Sequence, residues 1–172
     1  MGSGEGETPE FVVFGIDPGR ESGWAVTVDP DTVVLFGKAT CSAHRKAAVE
    51  DAQELAVARN RPLVVVGETW TAGGWQHYKA LLGLGASWGR WLEALELAGI
   101  SEDRIVRATP QKWRGALFRR SSIKKDEAKQ LAMTYASHTD PDVAEAICIA
   151  LWGQCSEECI DMAVKLVRTS RT

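Results

Sequence analysis

The spacing of apolar and polar positions changes along this chain, and the changes mark its elements. Phe11 to Ile16 is a short β-branched and aromatic run that stops at Asp17-Pro18-Gly19, which predicts a strand carrying Asp17 at its carboxyl end. Gly23 to Val28 and Thr32 to Phe36 are two further runs joined through Asp29-Pro30-Asp31, so three antiparallel strands are expected. The period then lengthens. Ser42 is the expected N-cap of a helix to about Arg59, with Ala47, Ala48, Leu55 and Ala58 as its apolar side and Asn60-Arg61-Pro62 as its stop. Leu63 to Val66 is wholly apolar, as in a strand buried on both faces, and Glu68 stands just beyond it.

From about Trp75 to Ala98 the pattern is helical again. Tyr78, Leu81, Gly85, Trp88, Leu92 and Leu95 alternate steps of three and four, a heptad-like seam in which Gly85 and Gly89 would let another helix approach closely. Arg104 to Arg107 reads as a fifth strand and Pro110 as the first residue of a short helix. A helix from Lys124 to Ala136 follows, with Ser122 near its cap. The last helical segments run from Pro141 to Trp152 and from Ser156 to about Val167. The order β-β-β-α-β-α-β followed by helices predicts an α/β protein. Its five-stranded mixed sheet would have three antiparallel strands, then two parallel ones, flanked by helices.

With 172 residues and 45% apolar composition the chain can bury one core. Residues 11–172 are read as a single domain, and residues 1–10, small and acidic, as a disordered lead outside it. The richest apolar stretch, Ala144 to Trp152, carries Glu145, so no membrane span is expected. Cys41 stands alone, and Cys148, Cys155 and Cys159 are spaced as one stripe of a helical segment, which is not a zinc pattern. Reduced structural thiols and a cytoplasmic location are the expectation.

The net charge of -3 speaks against nucleic acid, but the charge is unevenly placed. Arg104, Arg107, Lys112, Arg114, Arg119, Arg120, Lys124 and Lys125 follow one another with no intervening acid, a stretch able to neutralise phosphates or to form a solvated basic face.

The acids carry the chemistry. Asp17 and Glu68 close two strands, and if those strands are neighbours their carboxylates emerge side by side. Asp142 and Glu145 are three apart in an otherwise apolar helix, so both lie on one face. Taken singly, Asp17 fits a plain turn and Asp142 a helix-terminal acid that answers the dipole. Taken together, four oxygen ligands from two strand ends and a helix suit Mg²⁺ or Mn²⁺ better than zinc. Two such ions, about 4 Å apart, would activate water and stabilise the attacking and leaving oxygens of a phosphodiester.

At these residues the sequence resembles the RuvC-like Holliday junction resolvases of the RNase H-like superfamily. Gly15-Ile16-Asp17-Pro18-Gly19 with Ser22-Gly23-Trp24-Ala25 is similar to the family's first-strand motif, Val64-Val65-Val66-Gly67-Glu68 to its second, and Asp142-Val143-Ala144-Glu145-Ala146 to its closing acidic helix. Thr109 to Arg114 has the flavour of phage members. The resemblance, which runs from Phe11 to Trp152, implies an RNase H-like fold and two-metal ligation by Asp17, Glu68, Asp142 and Glu145. It also implies a helper role for Lys125 near the scissile phosphate, and Glu145 stands where aspartate is more typical. The family's aromatic wedge has Trp70 and Trp75 as its candidates here, in a Gly-rich segment where an exposed indole would stack on an unpaired base. Trp24, Trp88, Trp91 and Trp152 are assigned to packing. The Tyr78 to Leu95 helix is implied to form a two-fold dimer, since paired cuts need two active sites.

The expected activity is therefore metal-dependent, paired cleavage of branched DNA, with Arg107, Lys112, Arg114, Arg119, Arg120 and Lys124 on phosphates. A nuclease for RNA/DNA hybrids or flaps, and a non-catalytic junction-binding relative, are the competing readings. An actin-like kinase would need a second domain that this length does not hold. His138, four residues before Asp142, is either a site residue or a loop histidine.

Overall fold

The computed structural model describes residues 9–69, 78–137 and 140–170. Its strands are β1 (Val12–Asp17), β2 (Ser22–Asp29), β3 (Thr32–Ala39), β4 (Leu63–Glu68) and β5 (Ile105–Ala108). Its helices are α1 (Ser42–Ala58), α2 (Tyr78–Leu97), α3 (Pro110–Phe118), α4 (Lys125–Tyr135), α5 (Pro141–Cys155) and α6 (Glu157–Thr169). The sheet order is β3-β2-β1-β4-β5, with β1, β2 and β3 antiparallel and β1, β4 and β5 parallel. This is the mixed sheet that the hydrophobic pattern predicts.

Strand alternation decides what each face of the sheet buries. Val12, Phe14, Ile16, Val26, Val28 and Val65 pack with Ala48, Val49 and Ala52 of α1 and Trp91 and Leu95 of α2. Val13, Ala25, Val64, Val66 and Val106 pack on the opposite face against α5, with α3, α4 and α6 around it. Since successive side chains point to opposite faces, Asp17 and Glu68 share parity with Val13, Val64 and Val66 and turn toward α5. Continuing the pairing of Ile16 with Gly67 by one step sets the two carboxylates side by side.

Two positions without side chains let α5 lie directly on the sheet. A Cβ on Gly15 would stand 2.7 Å from the Ala150 nitrogen and 2.8 Å from the Ala146 oxygen, and one on Gly23 would stand 2.0 Å from the Asp142 oxygen. Gly23 is the partner of Asp17 in the β1–β2 ladder, so the amino end of α5 is pressed down beside Asp17.

Several local expectations are corrected. Cys41, not Ser42, holds the N-cap position of α1, and it makes no side-chain cap. Lys124, not Ser122, caps α4, because the Glu127 side chain accepts from the Lys124 nitrogen at 2.7 Å. The cysteine stripe is split. Ser156 ends α5 and caps α6, which leaves Cys148 and Cys159 buried in different helices and Cys155 exposed. All four are free thiols, and burial pushes Cys148 up to about 12 and Cys159 up to about 11.

The seam of α2 is divided as well. Leu95 is buried against the sheet, with Trp88 and Leu92 partly buried beside it, while Leu82, Gly85, Ala86 and Gly89 are exposed. Glu10, assigned to the lead segment, pairs with Arg61 at 2.5 Å. No helix among the described residues is long and apolar enough to cross a membrane.

Candidate active site

The carboxyl ends of β1 and β4 and the amino end of α5 meet at one place. Asp140 caps α5 by accepting from the Asp142 and Val143 nitrogens at 3.0 and 3.4 Å, and Pro141 occupies the first turn, where its missing N–H costs nothing. The helix therefore begins immediately before Asp142, and Glu145 follows one turn on.

Asp17 is 8% exposed and Glu68 1%. Burial, and then the charges of Glu68, Glu145 and Asp142, hold the Asp17 carboxyl well above its ordinary range. Burial pushes Glu68 up to about 7 against the hydrogen bond from Trp113, with Glu145 raising it further and Arg114 opposing. All four acids that the sequence marks thus act on one another.

Their partners were not foreseen. Trp113, fully buried on α3, donates its Nε1 proton to Glu68 Oε2 at 2.6 Å. Glu68 Oε1, also buried, has no hydrogen-bond partner among the described residues. Arg114 lies over the Trp113 ring at 4.9 Å and approaches Glu145 Oε1 at 3.9 Å. On the other side Lys38 of β3 reaches Asp140 at 2.8 Å, Asp142 at 3.4 Å and Glu21 at 2.7 Å. Lys125 approaches Asp142 Oδ1 at 4.0 Å and is largely exposed.

Among the described residues no three acidic, histidine or cysteine side chains are yet gathered closely enough to hold one ion. The donor set nevertheless fits a hard divalent cation. It is all oxygen, it is short of counter-charge, and it leaves a desolvated carboxylate oxygen on Glu68 with no partner.

No protein-family model matches the sequence, and no curated protein matches it. Solved structures do match. RuvC of Thermus thermophilus in complex with a Holliday junction substrate superposes with a TM-score of 0.62, at 20% identity, over 89% of this chain and 98% of that one. A second structure of Thermus thermophilus RuvC gives a TM-score of 0.54, at 22% identity, over 91% of this chain and 97% of that one. The chain has the fold of RuvC.

On this RuvC fold the predicted DNA-contacting residues separate. Arg107 pairs with Glu102 and lies over the Trp88 ring at 5.5 Å, Lys112 pairs with Glu158, and Arg120 with Glu127. Arg114 faces the acids instead of solvent. The uninterrupted basic stretch of the sequence is therefore largely neutralised in space, by acids from outside it. Lys124 and Arg119 cap α4 and end α3, the latter in the left-handed region at φ 57°. Trp91 and Trp152 are buried, and Trp24 and Trp88 pack against the core. Trp70, Trp75 and His138 lie outside the described residues.

Trp113 and Arg114 carried no sequence signal for their role, because nothing in a short helix among basic residues says which strand end it will cover. Lys38 carried none either, because the predicted strand ends at Phe36 and the observed β3 runs on to Ala39.

Proposed function

We propose that this protein is a structure-selective endodeoxyribonuclease that resolves four-way DNA junctions by paired hydrolysis of phosphodiester bonds. The observation that carries the reading is the meeting of Asp17, Glu68, Asp142 and Glu145, from two adjacent parallel strand ends and one helix, on a RuvC fold. The structure to which this chain is similar at 20% identity is RuvC bound to a Holliday junction substrate.

Asp17, Glu68, Asp142 and Glu145 would hold two Mg²⁺ ions, with Mn²⁺ as a substitute. When bound, these ions supply Lewis-acid activation of water and neutralise the scissile phosphate. The chain's own residues do the rest. Trp113 fixes one oxygen of Glu68 and leaves the other without a partner among the described residues. Arg114 offsets the charge of Glu145, and Lys38 ties the amino end of α5 to the β2–β3 hairpin. Lys125, exposed and within 4.0 Å of Asp142, steadies charge on the phosphate. Arg119 and Lys124, with Trp70 and Trp75 of the 70–77 segment, meet the DNA. The exposed face of α2 at Leu82, Gly85 and Gly89 supports a homodimer, which brings two sites to one junction in the cytoplasm.

Incubation with a labelled four-way junction and Mg²⁺, beside an RNA/DNA hybrid and a flap, tests the reading. Symmetric paired nicks in the junction are expected. Asp17→Asn should abolish cutting and keep binding; undiminished cutting in that variant would sink the proposal, and preferential cleavage of the hybrid or flap would replace it with the broader nuclease reading.

A further inference from the structure

The basic side chains of this protein differ in how they are partnered. Between Arg107 and Lys125 most of them pair with acids of the chain. Arg20, after β1, Arg45 of α1 and Arg90 of α2 have no ion pair among the described residues. Arg45 is 1% exposed, yet its Nε and Nη2 atoms lack hydrogen-bond partners, and it rests on the Trp91 ring at 5.8 Å. A buried cation without a partner is costly, and a second cation nearby adds to the cost. Burial, followed by the charge of Arg90, weakens the hold of Arg45 on its proton. Arg20 and Arg90 thus line one cavity with no ion pair among the described residues.

The cavity has a volume of about 450 Å³ and is lined by Arg20, Gly83, Leu84, Ala86, Ser87 and Arg90. Its place is set by Ser87, whose hydroxyl donates to the Gly19 carbonyl at 2.6 Å, two residues beyond Asp17. No described residue stands within 4 Å of a Cβ built on Gly83. The spacing of Gly83, Ala86, Ser87 and Arg90 puts them on one flank of α2, while Trp88 lines a separate cavity with Arg107 of β5.

We propose that this cavity seats a backbone phosphate of the DNA, gripped by Arg20 and Arg90, on the side of the sheet that carries α2 and not α3 and α4. The proposal rests on DNA being the substrate. Guanidinium groups present paired N–H donors that match phosphate oxygens, and they remain charged when partly desolvated. A grip here is separate from Lys125, which stands by Asp142 of α5 on the other face of the sheet, so the DNA would be held at two places.

The double variant Arg20→Ala/Arg90→Ala tests this, because both residues are exposed and their removal leaves the core intact. Thermal unfolding checks the fold, and Arg59→Ala, at the distant end of α1, serves as the control. Four-way junction binding is measured from low to moderate salt with the metal withheld. The plot of log affinity against log salt should become less steep by about one to two in the double variant, the value for one or two lost phosphate contacts, and should not change in the control. An unchanged slope with intact junction binding overturns the pocket and leaves the nuclease reading standing. Weaker self-association with an unchanged slope also overturns it, by giving the pocket to an acid of a second copy. A reduced slope in a protein that binds junctions without cutting them upholds the pocket and defeats the nuclease reading. Failure of the wild-type chain to bind any DNA removes both.

Discussion

The Trp113 indole and the Glu68 carboxylate form a buried pair in which one carboxylate oxygen is engaged at 2.6 Å and the other is left without a protein partner. A carboxylate held in this way cannot rotate freely, so its free oxygen keeps one direction. Trp113→Phe keeps the packing and removes the donor. Groups that orient metal ligands typically contribute about 10- to 100-fold in metal affinity or activity, and a fall of that size in Mg²⁺-supported cleavage is expected. Loss of the hydrogen bond should also cost about 1 to 3 kcal/mol of stability, read from denaturant unfolding. Full activity in Trp113→Phe would show that the pair only fills space.

The raised value of Glu68 fixes the sign of a pH effect. Between the ordinary value of 4.5 and about 7 the folded state holds a proton that the unfolded chain has released. Its stabilising contribution is complete below 4.5 and is lost as pH rises through about 7. The thermal midpoint of the metal-free protein should therefore fall on going from about pH 5 to pH 8, and Glu68→Gln should flatten that decline. Cleavage should move in the opposite direction over the same window, because the proposed metal ligand is the deprotonated carboxylate. Arg114 lowers Glu68, so Arg114→Met should shift the cleavage profile to higher pH. A profile that stays in place would separate Arg114 from the acid centre.

Mutual repulsion among four acids makes the metal-free protein less stable than its core allows. Mg²⁺ at about 100 times its dissociation constant should add about 2.7 kcal/mol, which in a chain of this size raises the thermal midpoint by about 5 to 10 °C. Asp17→Asn should raise the metal-free midpoint and abolish most of the response to Mg²⁺. An equal response in both proteins would place the ions elsewhere.

Gly23→Ala tests how α5 is seated. The new methyl carbon would stand 2.0 Å from the Asp142 oxygen, and backbone cannot yield as a flexible side chain does. A loss of more than about 2 kcal/mol is expected in unfolding experiments, together with a loss of cleavage larger than the loss of folded protein. Retained activity with normal stability would mean that the amino end of α5 moves without consequence.

Much of this was legible in the sequence because it depends on short-range rules. Strand period and turn residues located β1 and β4, and with them Asp17 and Glu68. The three-residue spacing located Asp142 and Glu145 on one face of α5. What could not be read depends on contacts remote in sequence. Lys112 pairs with Glu158, 46 positions away, and Trp113 reaches Glu68 across 45, so a stretch that looks like a bare cationic surface is in space mostly an internal counter-charge. Caps were misplaced by one or two residues because serine is a favoured cap but Glu127 supplied the bond instead.

The bare positions at Gly15 and Gly23 set the depth at which α5 rests, and so they set the gap between acids borne by strands and acids borne by the helix. That gap belongs to the core, not to any loop. Lifting the helix by the width of one methyl group would divide the centre into two half-sites, each with its carboxylates intact and neither able to close around an ion.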